Sequence, residues 1–143
     1  MAQVNVTKEI AAPPEQVWAV LADPRRFEEW LTLHTKWKAE PPATVSKGTT
    51  MTEVVTIMGM ANTITWNVQD YDAPNTLTIS GTGMAGAKVT FTLSVQGGAD
   101  TSVASIGAEF ISQMMVGAIG GAVERASVKE LNASLDNVAA LIA

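Results

Sequence analysis

The chain carries one histidine and no cysteine, and the histidine lies in WLTLHTKW, residues 30–37, between two tryptophans. Two indoles around one imidazole suit a small-molecule pocket, where aromatic walls exclude water and one hydrogen-bonding group fixes orientation. Trp30 and His34 are therefore candidate ligand contacts, with Trp37 beside them. The competing reading makes the tryptophans packing residues and His34 a surface loop residue. A lone imidazole without cysteine cannot anchor a zinc site, which draws three or four ligands from His, Cys, Asp and Glu. No metal and no cofactor are expected.

Glu53 is the second chemically pointed residue. Alternation through TTMTEVVTIM, residues 49–58, sets it on the apolar face with Met51, Val55 and Ile57. A carboxylate on such a face must find a partner or take up a proton, because an unpaired buried charge is very costly. Facing His34, Glu53 would be a polar anchor for a ligand; at a strand end it would simply reach water. In an enzyme, His34, Glu53 and Tyr71 are the groups that would move protons. Spacing alone pairs no acid with a base, so no catalytic residue is assigned, and Glu53 and His34 stand as the candidates.

Other motifs are weaker. FISQMMVGAIGGAV, residues 110–123, holds Met114, Met115 and three glycines where a helix should begin. Methionine fills adaptable apolar sites and helical glycine costs roughly 1 kcal/mol relative to alanine, so this segment reads as a pliable portal or as a loop-to-helix transition. Arg25, Arg26, Lys36 and Lys38 make a small basic patch with Trp37. Against a formal charge of −5 that patch reads as solvated charge, and no nucleic-acid partner is expected. GTGMAGAKV lacks the Lys-Ser/Thr ending of a phosphate-binding loop, and no serine stands in a nucleophile-elbow context.

These residues need a frame to hold them. At 143 residues, 47% hydrophobic and only 16% charged, the chain reads as a single domain, residues 1–143, with a sizeable apolar interior. The absence of cysteine, of a signal-peptide pattern and of a long apolar run fits a cytoplasmic setting without a membrane span. QVNVTKEI alternates as a strand; Pro14 then opens a helix with Val17, Trp18 and Leu21 on one face, and Asp23 caps a second carrying Phe27, Trp30 and Leu31. Period-two segments follow at 49–58, 62–71, 76–80, 87–95 and from 101, joined by connections short enough to demand antiparallel hairpins. From residue 122 a helical stripe of Val128, Leu131, Leu135, Val138 and Ile142 is expected to cover the sheet.

That order of elements, with PPEQVWAVLADPRRFEEW at the front, VQDYDAPNTLTISG in the middle and GGADTSVASI before the last helix, resembles the START-like and Bet v 1-like helix-grip superfamily. EEWLTLHTKWKAE, KGTTMTEVVTIMGMANTITW and GAIGGAV are similar to its actinobacterial polyketide cyclase/dehydrase-like branch, some members of which carry the label of type II toxin-antitoxin toxins. The resemblance implies an α+β helix-grip fold: about seven antiparallel strands curved around a long C-terminal helix, two short helices closing one end, and an internal apolar cavity. It implies a small hydrophobic ligand of lipid, polyketide or aromatic type, with a cyclase or aromatase activity, or a toxin acting on an antitoxin partner, as alternatives. The expected lining is Trp30, His34, Glu53, Val55, Ile57, Trp66, Leu77, Phe91, Ile106 and Met115.

Overall fold

Strand β1 (Ala2–Ile10) leads through two prolines into helix α1 (Pro14–Leu21), which buries Val17, Trp18, Val20 and Leu21. Asp23 then caps a 3₁₀ turn, Pro24–Arg26, by accepting from the Arg25 N–H, and helix α2 (Phe27–Trp30) follows directly. Six more strands follow: β2 (His34–Trp37), β3 (Thr50–Ile57), β4 (Met60–Asp72), β5 (Thr76–Thr82), β6 (Lys88–Gly97) and β7 (Ser102–Ile111). Helix α3 (Ala118–Ile142) completes the chain. The computed structural model describes residues 2–42, 45–57, 59–83, 87–111 and 118–142, without the side chains of residues 2, 57 and 118–120.

All seven strands form one antiparallel sheet in the order β1-β7-β6-β5-β4-β3-β2, so β1 and β2 are its edges. Hairpins join β3 through β7, as the short connections demanded. Gly59, at φ +77°, takes the left-handed conformation that the β3–β4 turn needs. The inner face carries Met51 and Val55 from β3, Ile64, Trp66 and Val68 from β4, Leu77 and Ile79 from β5, Val89, Phe91, Leu93 and Val95 from β6, and Ala104, Ile106, Ala108 and Phe110 from β7. The outer face is rich in threonine and serine. A register shift between Val68 and Asp70 reverses the alternation of β4, so that Tyr71, opposite Leu77, packs against the core while Asp70 is exposed.

Helix α3 packs chiefly along β1, and one stripe of it is buried: Val123, Ser127, Leu131, Ser134, Leu135 and Val138. This corrects the expected stripe in one place, because Val128 is 41% exposed. Spacings of three and four allow two neighbouring stripes on a helix, and the one actually buried contains two serines that hydropathy alone passes over. The second half of α3 is tied down by polar contacts. Lys8 pairs with Asp136 at 3.0 Å, the Thr32 N–H donates to Ser134 Oγ at 3.0 Å, Thr32 Oγ1 donates to the Glu130 carbonyl, and Asn137 Nδ2 donates to the Trp30 carbonyl. The first half has one such contact among the described residues, a 3.4 Å bond from the Gln3 N–H to Glu124 Oε1. No described helix is long and apolar enough to cross a membrane.

Candidate functional site

On an inner face made largely of apolar side chains, β3 presents Glu53 with no accessible surface. Both carboxylate oxygens have donors. Trp66 Nε1 donates to Oε1 at 2.7 Å, and His34 Nδ1 donates to Oε2. Register explains the first contact: Met51 lies opposite Trp66 and Glu53 opposite Ile64, so the indole reaches Glu53 along the diagonal, a distance that large side chains span.

The second contact depends on a bulge. His34 pairs with Val55 and Trp37 with Glu53, while Lys36 pairs with Val54, leaving Thr35 as the extra residue of β2. Three residues apart, His34 and Trp37 would face opposite sides of a regular strand; the bulge turns both to the inner face. The His34 side chain is only 3% exposed, and its ring lies 5.3 Å from that of Trp37. From Trp66 the aromatic surface continues to Phe91 at 5.2 Å and on to Phe110 at 6.3 Å.

Taking a carboxylate out of water costs several kcal/mol, which only close pairing and full hydrogen bonding offset. Both conditions hold for Glu53. With Nδ1 engaged, the imidazole keeps Nε2 as its one remaining hydrogen-bonding atom, held in a fixed orientation by the carboxylate. Such a group can accept from a hydroxyl, donate to a carbonyl when protonated, or pass a proton between them.

Of the other expected lining residues, Val55, Trp66, Leu77, Phe91 and Ile106 all face inward, and none is more than 4% exposed. All five belong to the buried apolar cluster. Trp30 is also buried, but its Nε1 donates to the Val20 carbonyl at 3.2 Å and its ring meets Phe27 edge-on, which joins α2 to α1. Phe27 and Trp37 connect it to His34. The side chain of Ile57 and the whole of Met115, with the Met114 to Gly117 portal, lie outside the described residues.

The described open hollows lie elsewhere. One of about 650 Å³ runs over the outer face of β1, β7 and β6, lined by polar groups such as Asn5, Thr92 and Glu109. A smaller one of about 180 Å³ lies between α1 and Tyr71, whose ring stands 5.9 Å from Trp18. Tyr71 thus lines this hollow and is not a partner of Glu53. In the basic patch, Arg26 is bound by both oxygens of Glu29, at 3.0 and 3.2 Å, and Arg25 lies 3.7 Å from Asp23. The hydrogen bond from Arg26 holds the Glu29 carboxyl below its usual range and raises the guanidinium in turn. Lys36 and Lys38 remain exposed.

Two features escaped the sequence reading. The Trp66 N–H as second donor to Glu53 depends on a ring orientation that only the packed sheet sets. The strand character of residues 34–37 was hidden by its length and its bulge.

Comparison with known proteins places this geometry. A Mycobacterium tuberculosis protein named as a toxin is 32% identical over 143 residues, covering 100% of this chain and 99% of that protein. Among solved structures, a Streptomyces aromatase/cyclase superposes with a TM-score of 0.71 at 22% identity, over 95% of this chain and 92% of that one. A Thermus thermophilus protein superposes with a TM-score of 0.78 at 14% identity, over 98% and 96%. At such identities the structures establish the shared helix-grip fold. The family model described as polyketide cyclase/dehydrase and lipid transport matches residues 1–143, and the chain belongs to that family.

Proposed function

We propose that this protein binds a small hydrophobic molecule between the inner face of the sheet and α3, with the His34–Glu53 pair as the polar group that orients it. The observation that carries this reading is the Glu53 carboxylate, fully buried in an apolar face and held by one donor on each oxygen. A buried pair of this kind adds little net stability, since apolar residues of similar volume do as well or better. A recognition role accounts for its presence; core packing alone does not. The family's hydrophobic ligands and cyclases support the same reading. A guest enters by displacing the weakly tied first half of α3.

Tryptophan emission tests this, since Trp66 touches the anchor. Titration with a fatty acid or an aromatic polyketide mimic should change the emission saturably, and Glu53→Gln should alter affinity by a modest factor with the fold intact. A panel of such ligands with no saturable change, together with no co-purified hydrophobic molecule in native mass spectrometry, would refute it.

The fixed imidazole supports a second reading, a cyclase-like enzyme in which His34 Nε2 is the base and Glu53 positions it. In that case Glu53→Gln and His34→Ala abolish turnover of a polyketide substrate while binding survives.

A further inference from the structure

Among the described residues, one buried side-chain polar atom has no hydrogen-bond partner: Ser127 Oγ, on the inward stripe of α3. Serine in a helix ordinarily turns its hydroxyl back to the carbonyl four residues earlier, as Ser134 does to Glu130 at 2.8 Å. Ser127 makes no such bond, although it has no accessible surface. Native structures keep few unsatisfied buried hydroxyls, because each forfeits its hydration without compensation.

Its position follows from two fixed points. Glu124 meets Gln3 and Asp136 meets Lys8. A helix rises roughly 18 Å over the first pair's twelve-residue separation from the second, and a strand roughly 17 Å from Gln3 to Lys8, so α3 runs level with β1. Ser127 therefore stands just past the level of Val4. Strand pairing carries that level across the sheet through Ala108, Phe91 and Ile79 to Val68. Glu53 stands two side-chain rows away, past Trp66 and level with Ile64, because Thr50 pairs with Asn67 and Glu53 with Ile64. Four strand residues amount to roughly 13 Å along the strand direction alone, and β3 stands five strand positions from β1 across the sheet, so only an elongated guest spans both groups.

The geometry points to Ser127 as a second ligand-binding residue, whose hydroxyl bonds an oxygen at the far end of a guest anchored at His34 and Glu53. This inference rests on the proposed binding function. It narrows the ligand class to elongated apolar molecules with a hydrogen-bonding oxygen at each end, such as hydroxylated chains or fused-ring phenols, and disfavours guests with one polar end only. The surfaces between the two poles, Trp66, Phe91 and Ile79, are apolar and match the body of such a molecule.

The test compares 1-decanol with 1,10-decanediol, which differ by one terminal hydroxyl, by tryptophan emission on the full chain and on Ser127→Ala. Both alcohols should bind the native chain. Ser127→Ala should weaken the diol about 5- to 10-fold, as loss of one buried hydrogen bond does, and leave 1-decanol within about 2-fold. Thermal unfolding without ligand supplies an independent readout: Ser127→Ala should melt no lower than the native chain, whereas Ser134→Ala, which loses its bond to Thr32, should melt lower. If Ser127→Ala leaves the diol unaffected, or weakens both alcohols equally, Ser127 is not a ligand contact while interior binding stands. If Ser127→Ala melts as low as Ser134→Ala, the hydroxyl is structural and the inference is overturned. If neither alcohol binds the native chain, the inference and the binding function for elongated guests fall together.

Discussion

Replacing His34 by leucine keeps the volume of the site and removes one of the two donors to Glu53, leaving a carboxylate with no accessible surface and, among the described residues, Trp66 as its one side-chain donor. Breaking a buried pair from one side costs about 3–5 kcal/mol, because the remaining charge stays desolvated. The pair's side chains are 3% and 0% exposed, so solvent screening does not reduce this figure. Adding Glu53→Gln to His34→Leu removes the stranded charge and retains an oxygen for the Trp66 N–H. The double variant should therefore be more stable than His34→Leu alone, by about 2 kcal/mol, even though it carries one more substitution. Against a typical total of 5–15 kcal/mol these are large effects. Urea unfolding followed by tryptophan emission reads them directly. With a slope of about 2 kcal/mol per molar, His34→Leu should lower the midpoint by about 2 M, and the second substitution should restore about half of that. A loss below about 1 kcal/mol for His34→Leu, or a double variant weaker than the single one, would show that Glu53 is not a buried charge dependent on His34.

Three further outcomes are expected. Leu135→Ala should cost about 2–5 kcal/mol and Val128→Ala less than about 0.5 kcal/mol in the same urea assay, since one is buried and the other exposed; equal losses would contradict the orientation of α3. Amide exchange along α3 should be slower over 130–138, where Lys8, Thr32 and the Trp30 carbonyl hold the helix, than over 121–127; uniform protection would contradict the uneven attachment. Glu29→Gln should remove a small stability increment that is present above the ordinary glutamate range near pH 4.5 and fades as pH falls through the lowered folded value, because Arg26 favours the charged carboxylate; identical pH profiles for the variant and the native chain would dismiss the pair.

Much of the sheet could be read from alternation, because a hairpin-linked sheet with one apolar face imposes period two on each strand. The same periodicity exposed Glu53, since a carboxylate in phase with Met51 and Val55 has to be buried or at an end. Its surroundings were less legible. Bulges at Thr35 and between Val68 and Asp70 break the phase from which a face is inferred, so neither His34 nor Tyr71 could be oriented from spacing. On α3, the pattern of large apolar residues suggested Val128, while the buried stripe runs through Ser127 and Ser134. Small hydroxyls fit the close approach of a helix to a strand, and hydropathy does not register that advantage. The shape of the interior was equally hidden: the same apolar alternation lines a hollow or packs a core, and only side-chain volumes in three dimensions distinguish them.

The single extra residue in β2 is also a reserve of length in this edge strand. Thr35 is exposed, its hydroxyl meets that of Thr56, and substitution there should pass almost unnoticed. Deletion should be tolerated as well. Without Thr35 the strand would read His34-Lys36-Trp37, with His34 still opposite Val55 and Trp37 still opposite Glu53, and ordinary alternation would keep both rings on the inner face. Strand β3 has no such slack: removing Thr52 would set Glu53 directly after Met51 and turn the two to opposite faces. A one-codon loss is thus absorbed on the edge strand and expels the carboxylate from the interior on its neighbour.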